Sequence, residues 1–125
     1  MQFDNLSKDI IGCAIEVHKQ LGPGLLESTY ENCLAQELRL NNINCKTQVA
    51  LPVFYKGLNI DCGYRIDMII EDRFVMEFKS VSEIIGIHEA QILTYMKLAK
   101  MNNGMLINFN VKLLKDGLKT YFFNK

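Results

Sequence analysis

Asp67, Glu77 and Lys79 are the residues of this chain whose types and spacing could do chemistry. Asp67 stands in the apolar run Ile66, Met68, Ile69, Ile70, and Glu77 and Lys79 stand in a second run with Met76, Phe78 and Val81. Charges in the middle of strands are costly unless they are paired or bind a metal. Side chains alternate along a strand, so Glu77 and Lys79 share a face. Asp67 joins them if the hairpin between the two runs pairs positions whose numbers have an even sum. A three-residue loop at Glu71-Asp72-Arg73 places Asp67 opposite Glu77, whereas a strict two-residue loop does not, unless a bulge intervenes. Neighbouring carboxylates repel one another and call for a cation. Hard oxygen donors favour Mg²⁺ or Mn²⁺, which keep several waters for a substrate to displace. A lysine beside such an ion could orient a water nucleophile or stabilise charge on a pentavalent phosphate. The competing reading is a Lys79 salt bridge on a solvent-facing side of the sheet, and the D-x(9)-E-x-K spacing alone does not choose between them.

The elements that must position these residues follow from periodicity. Over residues 5–20 the apolar side chains Leu6, Ile10, Cys13, Ala14 and Val17, then Leu21, recur at steps of three and four, which predicts an amphipathic helix stopped by Gly22-Pro23. A second helix is expected over residues 24–40, with Leu26, Tyr30, Cys33, Leu34 and Leu38 as its apolar stripe. The period then changes. Residues 47–55 read as a strand, Lys56-Gly57 as a turn, and residues 58–62 as a short continuation. Residues 63–70 and 73–79 read as two strands with a tight connection at Glu71-Asp72. Helical spacing returns over residues 87–100 and is expected to end at Asn103-Gly104. Residues 105–109 form an unbroken apolar run, as a strand covered on both faces does, and residues 118–123 read as an edge strand. The expected fold is α/β: one domain over residues 1–125, a mixed β-sheet flanked by helices, in the order ααβββαββ.

Composition narrows the function. A chain of 125 residues is one domain's length and buries roughly two thirds of its unfolded surface. Lys and Arg balance Asp and Glu at 14 each, which weighs against a broad electrostatic grip on nucleic acid. A local patch drawn from Lys46, Lys56, Arg65, Lys79, Lys97, Lys100 and Lys112 stays open. No apolar stretch approaches the ~20 residues of a membrane span, and MQFDNLSKDI lacks the layout of a signal peptide, so the expected location is the cytoplasm. Cys13, Cys33, Cys45 and Cys62 form no CxxC pair and are read as reduced thiols, mostly small core residues. Neither His18 nor His88 has a cysteine beside it, so zinc is not expected.

Several ordered motifs resemble one family. Gly24-Leu25-Leu26-Glu27-Ser28-Thr29-Tyr30 fits the G-x-x-E-x-x-Y signature of GxxExxY proteins, and CGYRIDMII, VMEFKS, HEAQILTYMKL and GMLINF are similar to that family in the same order, over nearly the whole chain. The resemblance implies the PD-(D/E)XK nuclease superfamily, whose mixed sheet carries an early-helix Glu, a strand Asp and an E-x-K strand around one or two divalent metals. On that likeness Asp67 matches the Asp, Glu77 and Lys79 the E-x-K, and Glu27 the helical acid. Gln91 and Tyr95 match the Q-x-x-x-Y element of RecB-like nucleases, and Ile66 stands where the motif has proline. Implied metal ligands are Glu27, Asp67, Glu77 and the Phe78 carbonyl, holding Mg²⁺ or Mn²⁺; Lys79 is implied to position the water.

The residues themselves allow simpler roles. Glu27 sits in the first turn of its helix, where a carboxylate also interacts with the macrodipole. Tyr30 reads as packing and Gly24 as a backbone position after Pro23. His88, Gln91 and Tyr95 line one helix face at i, i+3, i+7, as a site wall or as a solvated face. Arg65 is expected to contact phosphate or to pair with an acid. The leading expectation is metal-dependent phosphodiester hydrolysis on DNA or RNA. The alternative is a non-catalytic or partner-dependent module that keeps the nuclease fold, with a homodimer as one source of additional binding surface. A thiol hydrolase built on Cys13 and His18 is poorly served by their spacing.

Overall fold

The computed structural model describes residues 4–124; residues 1–3 and 125, which the single-domain and leader readings also cover, lie outside the described part. Three α-helices, α1 (Asn5–Leu21), α2 (Glu27–Leu40) and α3 (Gly86–Ala99), accompany seven strands. These are β1 (Cys45–Ala50), β2 (Val53–Tyr55), β3 (Leu58–Ile60), β4 (Arg65–Ile70), β5 (Phe74–Lys79), β6 (Asn103–Asn108) and β7 (Leu118–Phe122). A five-stranded sheet has the order β1-β4-β5-β6-β7, and β2 with β3 makes a separate two-stranded ribbon. Only β5 and β6 run parallel, joined by the crossover through α3; the other pairs are antiparallel. Restricted to the five-stranded sheet, the element order is the expected ααβββαββ.

Helices cover both faces of the sheet. On one face α1 and α2 pack through Ile10, Ala14, Tyr30, Leu34 and Leu38 against Phe74, Met76, Phe78, Met105, Ile107 and Phe109. On the other, α3 packs through Ile92, Tyr95 and Met96 against Ile66, Ile69, Val75 and Leu106. Alternation along β5 and β6 supplies the two sets. Covered on both sides, β6 has no exposed position, which explains its unbroken apolar run.

Several boundaries differ from those the periodicity gave. The 47–55 segment is two strands, because Pro52 cannot donate to a ladder and ends β1. Residues 58–60 fold back on β2 through Lys56 and Gly57, both at positive φ, instead of continuing it. α2 starts at Glu27, leaving Gly24 (φ +95°) in the loop. Asn103-Gly104 does not stop α3: Lys100, in the left-handed conformation, does so, and Asn103 and Gly104 already belong to β6. Gly104 is there for close packing, since a Cβ would meet Met96 Sδ at 2.5 Å. Of the four free cysteines only Cys13 is fully buried; Cys33 and Cys45 are half-buried and Cys62 is exposed.

Candidate active site

The β4–β5 hairpin closes through three residues. Glu71 and Asp72 are both at positive φ, Arg73 N donates to Ile70 O at 2.9 Å, and Ile70 pairs with Phe74. Arg73 therefore belongs to the turn and not to the strand. The register sums to an even number, and the ladder runs from Ile70↔Phe74 to Met68↔Met76, where it stops. The next rung holds Asp67 and Glu77. There the strands part, and the two acidic side chains fill the gap with reciprocal bonds: Asp67 N donates to Glu77 Oε2 at 3.0 Å, and Phe78 N donates to Asp67 Oδ2 at 2.9 Å. Each carboxylate thus replaces a backbone ladder bond and is fixed by the opposite strand.

The other edge of β4 is irregular at the same level. Thr47 pairs with Met68 and Val49 with Ile66, so Gln48 faces Asp67, and Gln48 has φ +51°. Left-handed backbone at a non-glycine residue is strained and needs support from its surroundings. Here the support is a bond from Gln48 Nε2 to Glu31 Oε1 at 2.8 Å. Both strands change face at this rung. Met68 and Ile70 join the α1–α2 core while Ile66, of the same parity, joins the α3 core; Cys45 and Val49 divide likewise.

That change of face opens Asp67 toward α2. A cleft of about 580 Å³ is lined by Glu27, Glu31, Gln48, Asp67 and Ser80. Glu27 and Glu31 lie one helical turn apart on α2, and Ser80 N donates to Glu27 Oε2 at 3.3 Å. The G-x-x-E-x-x-Y segment is locked to the strand end by its own tyrosine. Tyr30 is fully buried and stacks on Phe109 at 4.4 Å; its hydroxyl donates to Gly22 O at 2.6 Å and accepts from Leu25 N at 3.1 Å. Ser80 Oγ completes the clasp on Leu25 O at 2.7 Å.

Electrostatically the cluster is loaded with like charge. Burial, then the neighbouring Asp67 charge, pushes the Glu77 carboxyl up to about 8. Burial likewise raises Asp67, and the Glu27 charge adds to the rise while the Phe78 amide and Lys79 oppose it. Glu31 is raised by burial, partly offset by the Gln48 bond, with the Asp67 charge adding to the rise. Lys79 is half-buried, and its Nζ donates to Gln91 Oε1 at 3.4 Å; Gln91 Nε2 in turn reaches Tyr95 OH at 3.2 Å. Lys79 is therefore tied to α3, and among the described residues it forms no salt bridge.

Not every residue singled out from sequence joins this cluster. His88 Nδ1 accepts from Ile85 N at 3.1 Å and so caps the start of α3, while its ring lines a separate cleft beside Gln91, away from the acids. Arg65 Nη1 turns back to Tyr64 O at 2.9 Å, and among the described residues it forms no ion pair. Phe78 contributes its amide to Asp67, and its side chain is buried against Phe109. Three of the lysines have separate surroundings: Lys46 pairs with Asp72 at 3.2 Å, Lys56 lies over the Tyr55 ring, and Lys112 lines a cavity beside α1. Cys13 is packed in the α1 core, and His18 is bonded to Val111 O at 2.8 Å, so they form no nucleophile–base pair. Sequence reading missed Glu31, Gln48 and Ser80. The spacing of Glu31, four residues after Glu27, was the available signal.

A mixed sheet with helices on both faces, carrying a buried and a half-buried acid and a lysine where two strands fork, defines an α/β domain with a polar centre at the sheet's edge of divergence. A family model of the PD-(D/E)XK nuclease superfamily matches residues 4–121, and the chain belongs to that superfamily. Comparison with curated proteins and with solved structures gives no match. Nucleases of this superfamily generally use divalent metals. Among the described residues no three His, Cys, Asp or Glu side chains are close enough together to form a cage. No helix among those described is long and apolar enough to cross a membrane.

Proposed function

We propose that this domain is a GxxExxY-type nuclease that hydrolyses phosphodiester bonds of DNA or RNA with Mg²⁺ or Mn²⁺, and that it acts in the cytoplasm. The observation that carries the reading is the fork at Asp67 and Glu77: one buried and one half-buried carboxylate, each bonded to the other strand, with Lys79 one alternate position on from Glu77. The donor set fits such an ion. Mg²⁺ takes one or two carboxylates and keeps its remaining positions as water, and the Asp67 charge raises the proton affinity of the buried Glu77 by more than nearby Lys79 offsets. Asp67 and Glu77 would hold the ion, with the Phe78 carbonyl as a further oxygen donor and Glu27 adding negative charge from the cleft wall instead of a third carboxylate ligand. When bound, the ion lowers the pKa of a coordinated water and offsets charge on the phosphate oxygens.

The chain's own residues do the remainder. The reciprocal backbone bonds hold both carboxylates in one orientation, so little reorganisation is needed on binding. Lys79, oriented by Gln91, presents an ammonium to the attacking water and to the developing charge. Glu31, held by Gln48, sets the field at Asp67 from the α2 side. Purified protein incubated with single- and double-stranded DNA and RNA, with Mg²⁺ or Mn²⁺, tests the proposal. Metal-dependent cleavage that disappears in Asp67→Asn and Glu77→Gln is expected; cleavage no greater than in those variants refutes it. A non-catalytic module remains the second reading, motivated by the balanced charge and dispersed lysines, and it expects no Mn²⁺ binding by calorimetry. A homodimer would enlarge the surface available to a strand, and light scattering measures it.

A further inference from the structure

On the α3 side of Lys79 lies a second cleft, of about 760 Å³. Its floor and walls include Tyr64 from the segment before β4, Ile87, Thr94 and Tyr95 from α3, and Val53 from β2. A chain of contacts runs along it from the Glu77-bearing strand: Lys79 to Gln91 at 3.4 Å, Gln91 to Tyr95 at 3.2 Å, and Tyr95 to Tyr64, whose ring centroids are 6.3 Å apart at 58°. Tyr64 is 47% exposed and Ile87 68% exposed, so the cleft presents aromatic and apolar surface to solvent beside a proposed phosphate-handling centre.

We infer that this cleft seats an unpaired nucleobase of the strand whose phosphate lies at Asp67 and Glu77, which makes single-stranded nucleic acid the substrate class. The inference rests on the proposed nuclease reading and deepens it. Three observations select this occupant. Lys79, which lines the cleft, follows Glu77 by two residues on the same face of β5, so the cleft adjoins the level of the strand that carries the acid. Its lining combines ring faces with hydrogen-bonding groups on Gln91 and Thr94, the combination that takes the flat face and polar edge of a base. The balanced charge and scattered lysines leave little phosphate neutralisation to hold a strand, so affinity must come from another source, and stacking provides it. A duplex keeps its bases inside and cannot use the Tyr64 surface.

The test is equilibrium binding of fluorescein-labelled oligonucleotides in a Glu77→Gln background without added metal, which blocks turnover and lowers repulsion of phosphate. The probes are a single strand, the same strand with an abasic stretch, and the matching duplex. Tyr64→Ala is the main variant and Tyr64→Phe its conservative control. Single strand is expected to bind tighter than duplex, and Tyr64→Ala to weaken single-strand binding roughly 5- to 150-fold, the value of one base–aromatic stack. Tyr64→Phe is expected to retain binding, and Tyr64→Ala to leave the abasic strand and the duplex unchanged. Equal or tighter duplex binding, no binding of any probe, or an equal loss on the abasic strand overturns the inference. Cleavage is measured separately with wild-type protein and Mn²⁺. Stacking-dependent binding without cleavage sinks the nuclease reading alone, and cleavage with a neutral Tyr64→Ala sinks the cleft alone.

Discussion

Glu77→Gln keeps the oxygen that accepts from Asp67 N and removes the charge, so it separates the two things this side chain does. In the folded protein the carboxyl is pushed from 4.5 up to about 8, first by burial and second by the Asp67 charge. Unfolding returns it to its ordinary value. Between those two pH values the folded chain retains a proton that the unfolded chain has lost, so the penalty on folding is absent below about pH 4.5 and complete above about pH 8. At about 1.4 kcal/mol per pH unit, the span from 4.5 to about 8 sets a ceiling of about 5 kcal/mol on that penalty. Side-chain relaxation and water entry reduce it, and about 2 kcal/mol is the expected size. For a chain of this length that is about 6–10 °C in Tm. The assay is thermal unfolding of both proteins in EDTA at about pH 4 and about pH 8. Their Tm values are expected to agree at the lower pH, and Glu77→Gln to be the more stable at the higher one, because titrations common to both proteins cancel in the difference. Mn²⁺ at the higher pH is expected to raise the wild-type Tm and to leave the variant nearly unmoved. A difference that does not change with pH, or a variant less stable than wild type at about pH 8, refutes the account of a charge held at the fork without a partner.

Glu31→Gln retains an acceptor for Gln48 while deleting the charge beside Asp67; nuclease activity is expected to fall roughly 10- to 100-fold with the Tm nearly kept, as steady-state cleavage of a labelled strand would report. Tyr30→Phe removes the hydroxyl that bridges Gly22 O and Leu25 N but not the stack on Phe109; urea denaturation is expected to show a loss of about 1–2 kcal/mol, with a fall in activity as Glu27 loosens. Gly117→Ala and Gly104→Ala form an informative pair. A Cβ at Gly117 would sit 2.0 Å from the backbone oxygen of Asn108, which cannot yield, whereas at Gly104 it meets the mobile tip of Met96. Denaturant midpoints are expected to show a loss of about 3 kcal/mol or more for the first and about 1 kcal/mol for the second. His88→Ala removes the bond to Ile85 N; denaturant unfolding is expected to show a cost of about 1 kcal/mol.

The acid–acid–lysine set was legible because strand alternation and loop length are local quantities. Three turn residues suffice to put Asp67 level with Glu77, and the observed register obeys that arithmetic. What alternation cannot express is the change of face at that rung. Parity places Ile66 with Met68, yet the structure sends them to opposite cores, and the cause is non-local: α2 presents Glu31 to Gln48 and holds it at positive φ across from Asp67. No periodic reading of residues 45–50 contains that information, so Glu31 and Gln48 stayed hidden while Glu27, carried by a motif, did not. The strain is informative in its own right. A regular β1–β4 pair would keep Asp67 on the face that alternation assigns it, away from α2. Distorting the pair at Gln48 turns Asp67 into the cleft with Glu27 and Glu31, while Lys79 stays connected to α3 through Gln91. The fork therefore joins the acids reached from α2 to the lysine and tyrosine reached from α3, and the sheet is irregular at the one level where the two helical layers must share a site.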